Sequence, residues 1–456
     1  MPFYKSAAFA AALLAPAVLA AQPASEEDVD EVVVIGHTVS TSLATVEVDR
    51  EMLVDTANVL KDIPGANVNA NGPITGIAQY RGMYGDRVSV VIDQLGVVSG
   101  GPNAMDAPLS YVSPMITREL AVTRGIASVS LAPESIGGHV ATTLSRGDFS
   151  KGPGALSGFV GTRYSGNGAV STSAGRLTLA SDRHKVSLLA EVDDGDDIDT
   201  PVGTIRPSRL HRERSDLSYA FSGDRGAIML FAGRLDTTDT GTPALPMDIR
   251  YIETDLAGAQ VEFEAAEGVS LRGGFAWNDV EHLMDNFGLR QAPMAPMHRQ
   301  NLTTGTGGHM NLEANFALPA GSLAIGFDGV VADHDATITN PNNAMFRVAN
   351  FVDVERNLAS MFAEWRKAGG GADLELGLRF KRVDASAGEV AASGMMGDMG
   401  TNVDLLAGAF NAADRDLRFD SVDAVLKYRR SSDIGTEWHV ELGSKTRAPS
   451  YQELYL

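Results

Sequence analysis

The sequence predicts a mostly β protein in which a mixed α/β domain precedes a transmembrane antiparallel β-barrel. Three observations predict this class. Glycine accounts for 48 of the 456 residues, an excess that favours many strands and turns over a helical chain. Beyond residue 150, segments of about ten residues alternate apolar and polar side chains, as tilted membrane strands do. Short turns alternate with long polar loops between these segments, which is the layout of an outer-membrane barrel.

The composition excludes several classes of function. The chain has 37 Lys and Arg against 58 Asp and Glu, and its net charge of −21 argues against a general affinity for nucleic acid. It has no cysteine, which excludes disulfide scaffolds, Cys-ligated zinc and Cys nucleophiles. A secreted β-rich hydrolase is one functional alternative, but the sequence contains no G-x-S-x-G or H-E-x-x-H motif and no convincing triad. We therefore expect no enzyme and no required cofactor.

Residues 1–21 are predicted to be a secretory signal peptide. Lys5 supplies a positive charge, residues 7–19 are apolar, and Ala20 and Ala21 are small residues suited to cleavage. A buried N-terminal helix is the alternative. Export combined with the lack of cysteine is typical of a Gram-negative envelope protein.

Residues 22–44 are predicted to form a periplasmic extension that contains one short strand. Four β-branched residues lie there between a charged residue and a glycine, in the run Glu31, Val32, Val33, Val34, Ile35 and Gly36. A strand without a local partner can add to the edge of another protein's sheet. The alternative is that it forms the first strand of the domain that follows.

Residues 45–150 are predicted to form the mixed α/β domain. Residues 55–63 have helical spacing and stop before a Pro-Gly pair, whereas residues 87–93 and 116–124 have the pattern of strands. Several glycines punctuate this domain and indicate tight turns and close approaches of the backbone.

Residues 151–456 are predicted to form a partial β-barrel. The alternation is clearest in residues 374–381, and about 13 strands are expected between residues 154 and 447. A bacterial barrel closes with an even number of strands, so either the barrel is incomplete in this chain or the count is off by one or more. A soluble β-sandwich or propeller is the competing fold. The long loops are predicted at residues 193–214, 237–251, 281–304, 334–353 and 385–418.

The order of these parts resembles TonB-dependent outer-membrane receptors, whose N-terminal plug domain lies inside a 22-stranded barrel. Residues 80–83 are similar to the family's R-G turn, residues 90–96 to its V-x-I-D-G strand, and residues 120–125 to its V-E-V-x-R-G-P stretch. Residues 446–453 resemble its R-A-P-S-x-x-E stretch. The plug residues that carry the resemblance are Arg81, Gly82, Asp93, Arg124, Gly125, Gly137 and Gly138. Gln94 and Ile126 depart from the family, which has Gly and Pro there.

The resemblance implies a location and partners. It implies export to the outer membrane, contact with outer-membrane lipid, and uptake of a scarce metal or metal chelate. It also implies that the strand at Glu31–Gly36 pairs with a TonB-type energy-coupling protein of the inner membrane. If 22 strands is the complete form, about nine are absent from this chain.

Two motifs are most similar to the copper-receptor branch of this family. That branch has C-x-x-x-M in a plug loop and H-x-M in the barrel. Met105, His282 and Met284 fit these patterns, whereas Gly101 stands where the branch has Cys. Thioether and imidazole groups suit Cu(I), so bound copper is expected as a substrate. The loop residues that could add ligands are Met294, Met297 and His298. Alternatively, the loop methionines are adaptable packing residues, and the ligand is a ferric siderophore or other chelate, or the protein is a truncated remnant that does not transport.

Overall fold

The structure, a computed structural model, describes residues 43–47, 54–101, 106–369, 371–394, 397–431 and 436–455. The chain divides into two compact units, residues 1–38 and 39–456, and the fold described below is that of the second. The predicted signal peptide and the predicted strand at Glu31–Gly36 lie outside the described residues.

The N-terminal domain, called the plug below, contains two small sheets. One has the strand order β1-β6-β7-β5, in which only β5 and β7 are parallel, and the other has the order β2-β3-β4. The strands are β1 (Leu43–Glu47), β2 (Ala66–Ala70), β3 (Gly76–Tyr80), β4 (Met83–Tyr84), β5 (Ser89–Ile92), β6 (Thr117–Thr123) and β7 (His139–Leu144). The predicted helix is a 3₁₀ helix at Thr56–Asp62. Further 3₁₀ turns lie at Gly85–Arg87, Pro108–Tyr111 and Pro114–Ile116.

Asp55 explains where the first helix of the plug begins. Its Oδ1 accepts the N–H of Ala57 at 2.9 Å, which caps the helix, and its Oδ2 accepts the N–H of Gly76 at 2.8 Å. The side chain therefore ties the helix to β3, and burial of the carboxyl raises its pKa. Apolar residues of the helix, including Val59 and Leu60, pack with Leu120 of β6 in the plug core.

The largest sheet has 14 strands, of which 13 follow one another in an antiparallel meander from β8 to β23, while β21 pairs with β19. This agrees with the 13 strands that the alternation predicts. Its first strands are β8 (Ala155–Ser165), β9 (Val170–Ala180), β10 (His184–Gly195), β13 (Leu210–Gly223), β14 (Gly226–Thr240), β15 (Asp248–Ala266) and β16 (Val269–Asp285). The remaining strands are β17 (Gln300–Leu318), β18 (Gly321–Asn340), β19 (Asn343–Lys367), β20 (Ala372–Ser386), β21 (Ala391–Ser393), β22 (Leu417–Ser431) and β23 (Glu437–Ser444). Within the described residues, β8 and β23 are its two edges.

This sheet reverses the arrangement of a soluble protein, because apolar side chains are exposed on one face and charged side chains are buried on the other. On β20, Leu378 is 61% exposed while its neighbour Arg379 is 1% exposed. The same strand buries Glu375 and Lys381 and exposes Leu376. Charged residues are almost never fully buried in a soluble protein unless they are paired, whereas a membrane strand turns its apolar side to lipid. The sheet therefore has an apolar outer face and a polar inner face, and the plug packs against the inner one.

The connections between strands agree only partly with the predicted loops. The loop at 193–214 contains the hairpin of β11 (Ile198–Thr200) and β12 (Gly203–Ile205), and the one at 385–418 contains β21 and α1 (Gly397–Ala412). A short 3₁₀ turn at Asn167–Ala169 and another at Ala295–Met297 lie in other connections, and α2 (Tyr451–Tyr455) follows β23. Among the described residues, no helix is long and apolar enough to cross a membrane.

The predicted long loop at residues 334–353 is wrong. β18 continues to Asn340 and β19 begins at Asn343, so only two residues join the strands. Register shifts interrupt the pairing of these strands at several points between His334 and Asn340. The irregular register and the polar residues of this stretch remove the strict alternation from which a strand is recognised.

Candidate functional site

The inner face of β16 brings a histidine and a methionine together. Val280, His282 and Met284 are 1%, 1% and 2% exposed, because alternate residues of a strand share a face. On β17, Thr303 lies opposite His282 and Asn301 lies opposite Met284. The H-x-M spacing therefore places the imidazole and the thioether side by side on the surface that faces the plug.

The backbone of the plug lies directly on this surface. A Cβ added to Gly100 would lie 2.5 Å from Val280 Cγ1, and one added to Gly305 of β17 would lie 2.6 Å from Gly100 Cα. A Cβ on Gly101 would lie 3.0 Å from His282 Nδ1. Glycine is needed at positions 100 and 305 because any side chain would collide with its neighbour.

His282 is buried with both of its ring nitrogens lacking a hydrogen-bond partner among the described residues. The side-chain oxygen of Asn301, on the neighbouring strand, is likewise buried without a partner. Buried polar atoms are nearly always hydrogen-bonded in folded proteins, and exceptions call for an explanation. These atoms are therefore free to accept a ligand.

Asp106 organises the plug segment that meets His282. Its carboxylate accepts hydrogen bonds from the hydroxyl of Ser99 at 2.7 Å, the N–H of Gly100, and the N–H of Gly101 at 3.3 Å. The hydroxyl of Tyr111 donates to it at 2.8 Å. Burial, reinforced by this carboxylate, raises the pKa of Tyr111 well above its ordinary value, so the phenol remains a donor.

The other predicted metal ligands lie in different settings. Met105 lies outside the described residues. Met294 and Met297, in the connection between β16 and β17, are 73% and 53% exposed. His298 is occupied structurally: its Nδ1 accepts from the side-chain amide of Asn342 at 2.8 Å, and its Nε2 donates to the carbonyl of Pro293 at 3.0 Å. The described residues contain no group of three or more His, Cys, Asp or Glu arranged to hold a metal.

The plug residues that carry the family resemblance lie mainly at turns. Arg81 and Gly82 both have positive φ in the turn between β3 and β4, and Asp93 and Gln94 have positive φ in the turn after β5. Gln94 thus takes a backbone conformation that favours Gly, the residue of the family pattern. Asp93 also accepts the N–H of Leu144 at 3.0 Å.

The remaining motif residues of the plug lie at close contacts. The N–H of Gly137 donates to the carbonyl of Arg87 at 2.7 Å, and Gly138 has positive φ beside the ring of Tyr80. Gly125 also has positive φ, and it lies against the carboxylate of Glu441 on β23. Arg124 lies between Gly125 and the end of β6.

A row of side chains on the sheet binds the plug backbone, and no motif in the sequence predicted these contacts. The side chain of Asn278 pairs with both backbone groups of Val98, at 3.0 and 2.7 Å. His309 Nδ1 accepts the N–H of Gly96 at 2.7 Å, and His334 Nε2 donates to the carbonyl of Ser99 at 2.7 Å. The only signal in the sequence was the position of these polar residues on the inward side of alternating strands.

Ion pairs also join the plug to the sheet. Arg146, which follows β7, is buried and pairs with Asp93 of the plug and with Asp216 of β13. Glu134 of the plug forms a partly buried pair with Arg356 of β19 at 2.9 Å. Some acidic residues of the chain thus lie inside, where charged partners compensate for the cost of burial.

Matches to known proteins agree with this architecture. Residues 37–139 match the family model of the TonB-dependent Receptor Plug Domain. The fold is similar to that of the copper transporter OprC, with a TM-score of 0.77 and 20% identity over 90% of this chain and 64% of that one. It is also similar to the ferric citrate transporter FecA, with a TM-score of 0.65 and 13% identity over 90% of this chain and 64% of that one.

The ferric yersiniabactin uptake receptor FyuA from Yersinia pestis is similar as well, with a TM-score of 0.59 and 13% identity over 86% of this chain and 62% of that one. The chain thus spans less than two thirds of the length of these three structures. No curated protein sequence matches it.

Proposed function

We propose that this chain is an outer-membrane receptor for energy-dependent uptake of a scarce metal. The premise is that it carries the plug domain and the fold of TonB-dependent receptors. Copper is the proposed substrate. The support for a membrane location is the inverted sheet, in which apolar residues such as Leu378 face outward and charged residues such as Arg379 face the plug. Such a sheet suits a boundary between hydrocarbon and a polar interior.

The observation that carries the copper proposal is the unpartnered imidazole of His282, on the same buried face as Met284. Imidazole and thioether are borderline and soft donors that suit Cu(I), and neither needs to lose a proton at neutral pH to bind it. Met105, between the described residues Gly101 and Asp106, is proposed as a further thioether ligand. The exposed Met294 and Met297 are proposed as earlier points of contact on the outer loop, and His298 as a ligand only if its two hydrogen bonds break.

The tight contact between plug and sheet favours a bare ion over a chelate at this site. Gly101 leaves about the width of one atom between the plug backbone and His282. A ferric siderophore would have to bind further out, on the loops. That alternative is supported by the likeness of fold to FecA and FyuA, and a remnant that binds but does not transport is the second alternative.

Uptake by this route needs no covalent chemistry from the protein. The substrate binds between the plug and the sheet, and the plug then shifts against the polar inner face. The segment Glu31–Gly36 pairs as a strand with a TonB-type protein of the inner membrane, which pulls on the plug. We accordingly propose a transporter and not an enzyme.

Binding of Cu(I) to the purified full chain in detergent tests the proposal. We expect one tightly bound ion, lost in the double variant His282→Ala, Met284→Leu, and no comparable binding of ferric chelates. Met361→Leu is the matched control, because Met361 lies on the exposed face of β19. Binding of Cu(I) that the double variant leaves unchanged, or tight binding of a ferric chelate in its place, would contradict the copper proposal.

A further inference from the structure

We propose that the carboxylate of Asp106 is the counter-charge of a site for a singly charged soft cation, and that it positions the plug segment Ser99–Gly101 against His282. This rests on the proposed function. It adds to that function a specificity-determining residue that the C-x-x-x-M and H-x-M patterns do not include.

Asp106 and His282 both lie close to one point on the plug backbone, at Gly101. The Cβ position of Gly101 lies 3.0 Å from His282 Nδ1 and 3.6 Å from Asp106 Oδ1. The two side chains belong to different parts of the fold, one to the plug and the other to β16. Each flanks the same point on the plug backbone.

The charge of Asp106 is not cancelled by the groups that bind it. Its donors among the described residues are the hydroxyls of Ser99 and Tyr111 and the N–H groups of Gly100 and Gly101, all of which are neutral. The residue itself is buried. A buried anion that is hydrogen-bonded but not neutralised attracts a cation to the adjacent space, and the attraction is stronger there than in water.

The second observation is the imidazole itself. His282 is 1% exposed, and neither ring nitrogen has a partner among the described residues. A cation in the space beside Gly101 would use one of these nitrogens and satisfy a group whose burial is otherwise costly.

The balance of charge indicates the class of cation. His282 and Met284 are neutral ligands, so one carboxylate and a singly charged ion form a neutral group. A doubly charged ion would leave a net positive charge in a buried place, which is costly. The site therefore suits a bare, soft, singly charged cation. Ag(I) is such a cation, and it does not change oxidation state in air.

Titration of the full chain with Ag(I) in detergent tests this inference, with Asp106→Asn as the central variant. The amide oxygen can still accept from Gly100 and Tyr111, and the NH₂ group can donate to the Ser99 hydroxyl, which can rotate to accept. Only the long bond from the N–H of Gly101, at 3.3 Å, is lost. The charge is removed while the shape is kept. We expect the Ag(I) affinity to fall by on the order of tenfold or more, with the hydrogen exchange of residues 96–100 unchanged.

Two further variants separate charge from folding. Asp106→Glu keeps the charge, and we expect it to retain more Ag(I) affinity than Asp106→Asn. Asp224→Asn removes a charge at an exposed turn between β13 and β14 and should change nothing. His282→Ala should abolish binding.

Each outcome decides a different claim. Binding that His282→Ala does not weaken would overturn the proposed function. Binding that needs His282 but is unaffected by Asp106→Asn would overturn this inference alone. A loss of affinity accompanied by faster exchange at residues 96–100, and not restored by Asp106→Glu, would also overturn it, because Asp106 would then only hold the loop.

Discussion

Gly101 occupies the point at which the plug meets the imidazole of His282. Its φ is not in the left-handed region, so the backbone would accept another residue, and only the space beside it is restricted. The copper-receptor pattern has Cys at this position, and the Cβ of a residue here would lie 3.0 Å from Nδ1 of His282. In the proposed site, this residue would therefore decide whether a further soft ligand is present.

We predict that Gly101→Cys raises the affinity for Ag(I) and Cu(I) by on the order of tenfold, because a thiolate is a softer and stronger donor than the groups already present. Gly101→Ala is the matched control. It adds the same Cβ, 3.0 Å from His282 Nδ1, without the sulfur, and should lower the affinity. Equal effects of the two substitutions, measured by competition titration, would mean that the added atom acts only by crowding.

At the scale of elements, the plug segment at residues 96–99 is bound to the sheet through its backbone. Asn278, His309 and His334, on three adjacent strands, supply the side chains that bind it. A segment held in this way depends less on its own side chains, and three of the six residues 96–101 are glycine. It also means that a shift of this segment must break several buried hydrogen bonds together.

We predict that Asn278→Ala loosens this segment. The substitution leaves the N–H and the carbonyl of Val98 buried without partners, at a cost of about 1–3 kcal/mol for each group. Hydrogen exchange at residues 96–101 should become faster while exchange in β6 and β7 is unchanged. The control is Asn315→Ala, because that amide bonds to Glu313 of its own strand. Unchanged exchange in Asn278→Ala would show that the neighbouring histidines hold the segment by themselves.

At the scale of the whole molecule, the two faces of the large sheet meet different surroundings. Its polar face carries charges such as Asp216, which pairs with Arg146 of the plug, and the plug covers this face. Its apolar face is exposed along strand after strand, from Leu177 on β9 to Leu378 on β20. An exposed apolar face of this extent is the arrangement expected of a sheet whose outer face contacts hydrocarbon.

We predict that Leu378→Arg destabilises the protein in a bilayer by about 2–4 kcal/mol, the cost of an arginine near the middle of the membrane. Leu405→Arg is the control, since Leu405 is equally exposed but lies on α1 in a connection between strands. Unfolding by urea in lipid vesicles measures both. Equal, small effects would argue against a membrane around β20.

The segment Glu31–Gly36 is proposed to connect uptake to the energy-coupling protein of the inner membrane. Deletion of Glu31–Gly36 should abolish metal uptake by cells while leaving Cu(I) binding by the purified protein unchanged, because the segment is proposed to pair with the energy-coupling partner and not with the substrate. Replacement of Val33 by Pro should act in the same way, since proline cannot donate to a strand ladder. Loss of binding in either variant would contradict this division of roles.

The period of two in the side-chain pattern predicted most of the large sheet, because it is a local property of the chain. It predicted the number of strands. It did not place His282 and Met284 on a strand, because residues 281–304 were predicted to be a loop, whereas β16 extends to Asp285. It was wrong at residues 334–353, where irregular pairing and polar residues on both faces disguise long strands. It also could not show that Met294 and Met297 are exposed whereas His282 and Met284 are buried. The exposed fraction of a side chain depends on what packs over it.

The sequence by itself thus determined the class of the fold and the order of the plug and the large sheet, and its resemblance to a family indicated His282 and Met284 as candidate ligands. Only the tertiary structure brought Asp106, Gly101 and His282 to one place and showed that His298 is already engaged. The physical reason is that strand alternation is encoded between neighbouring residues, whereas contact between the plug and the sheet joins residues about 180 positions apart, whose meeting depends on how the whole chain packs.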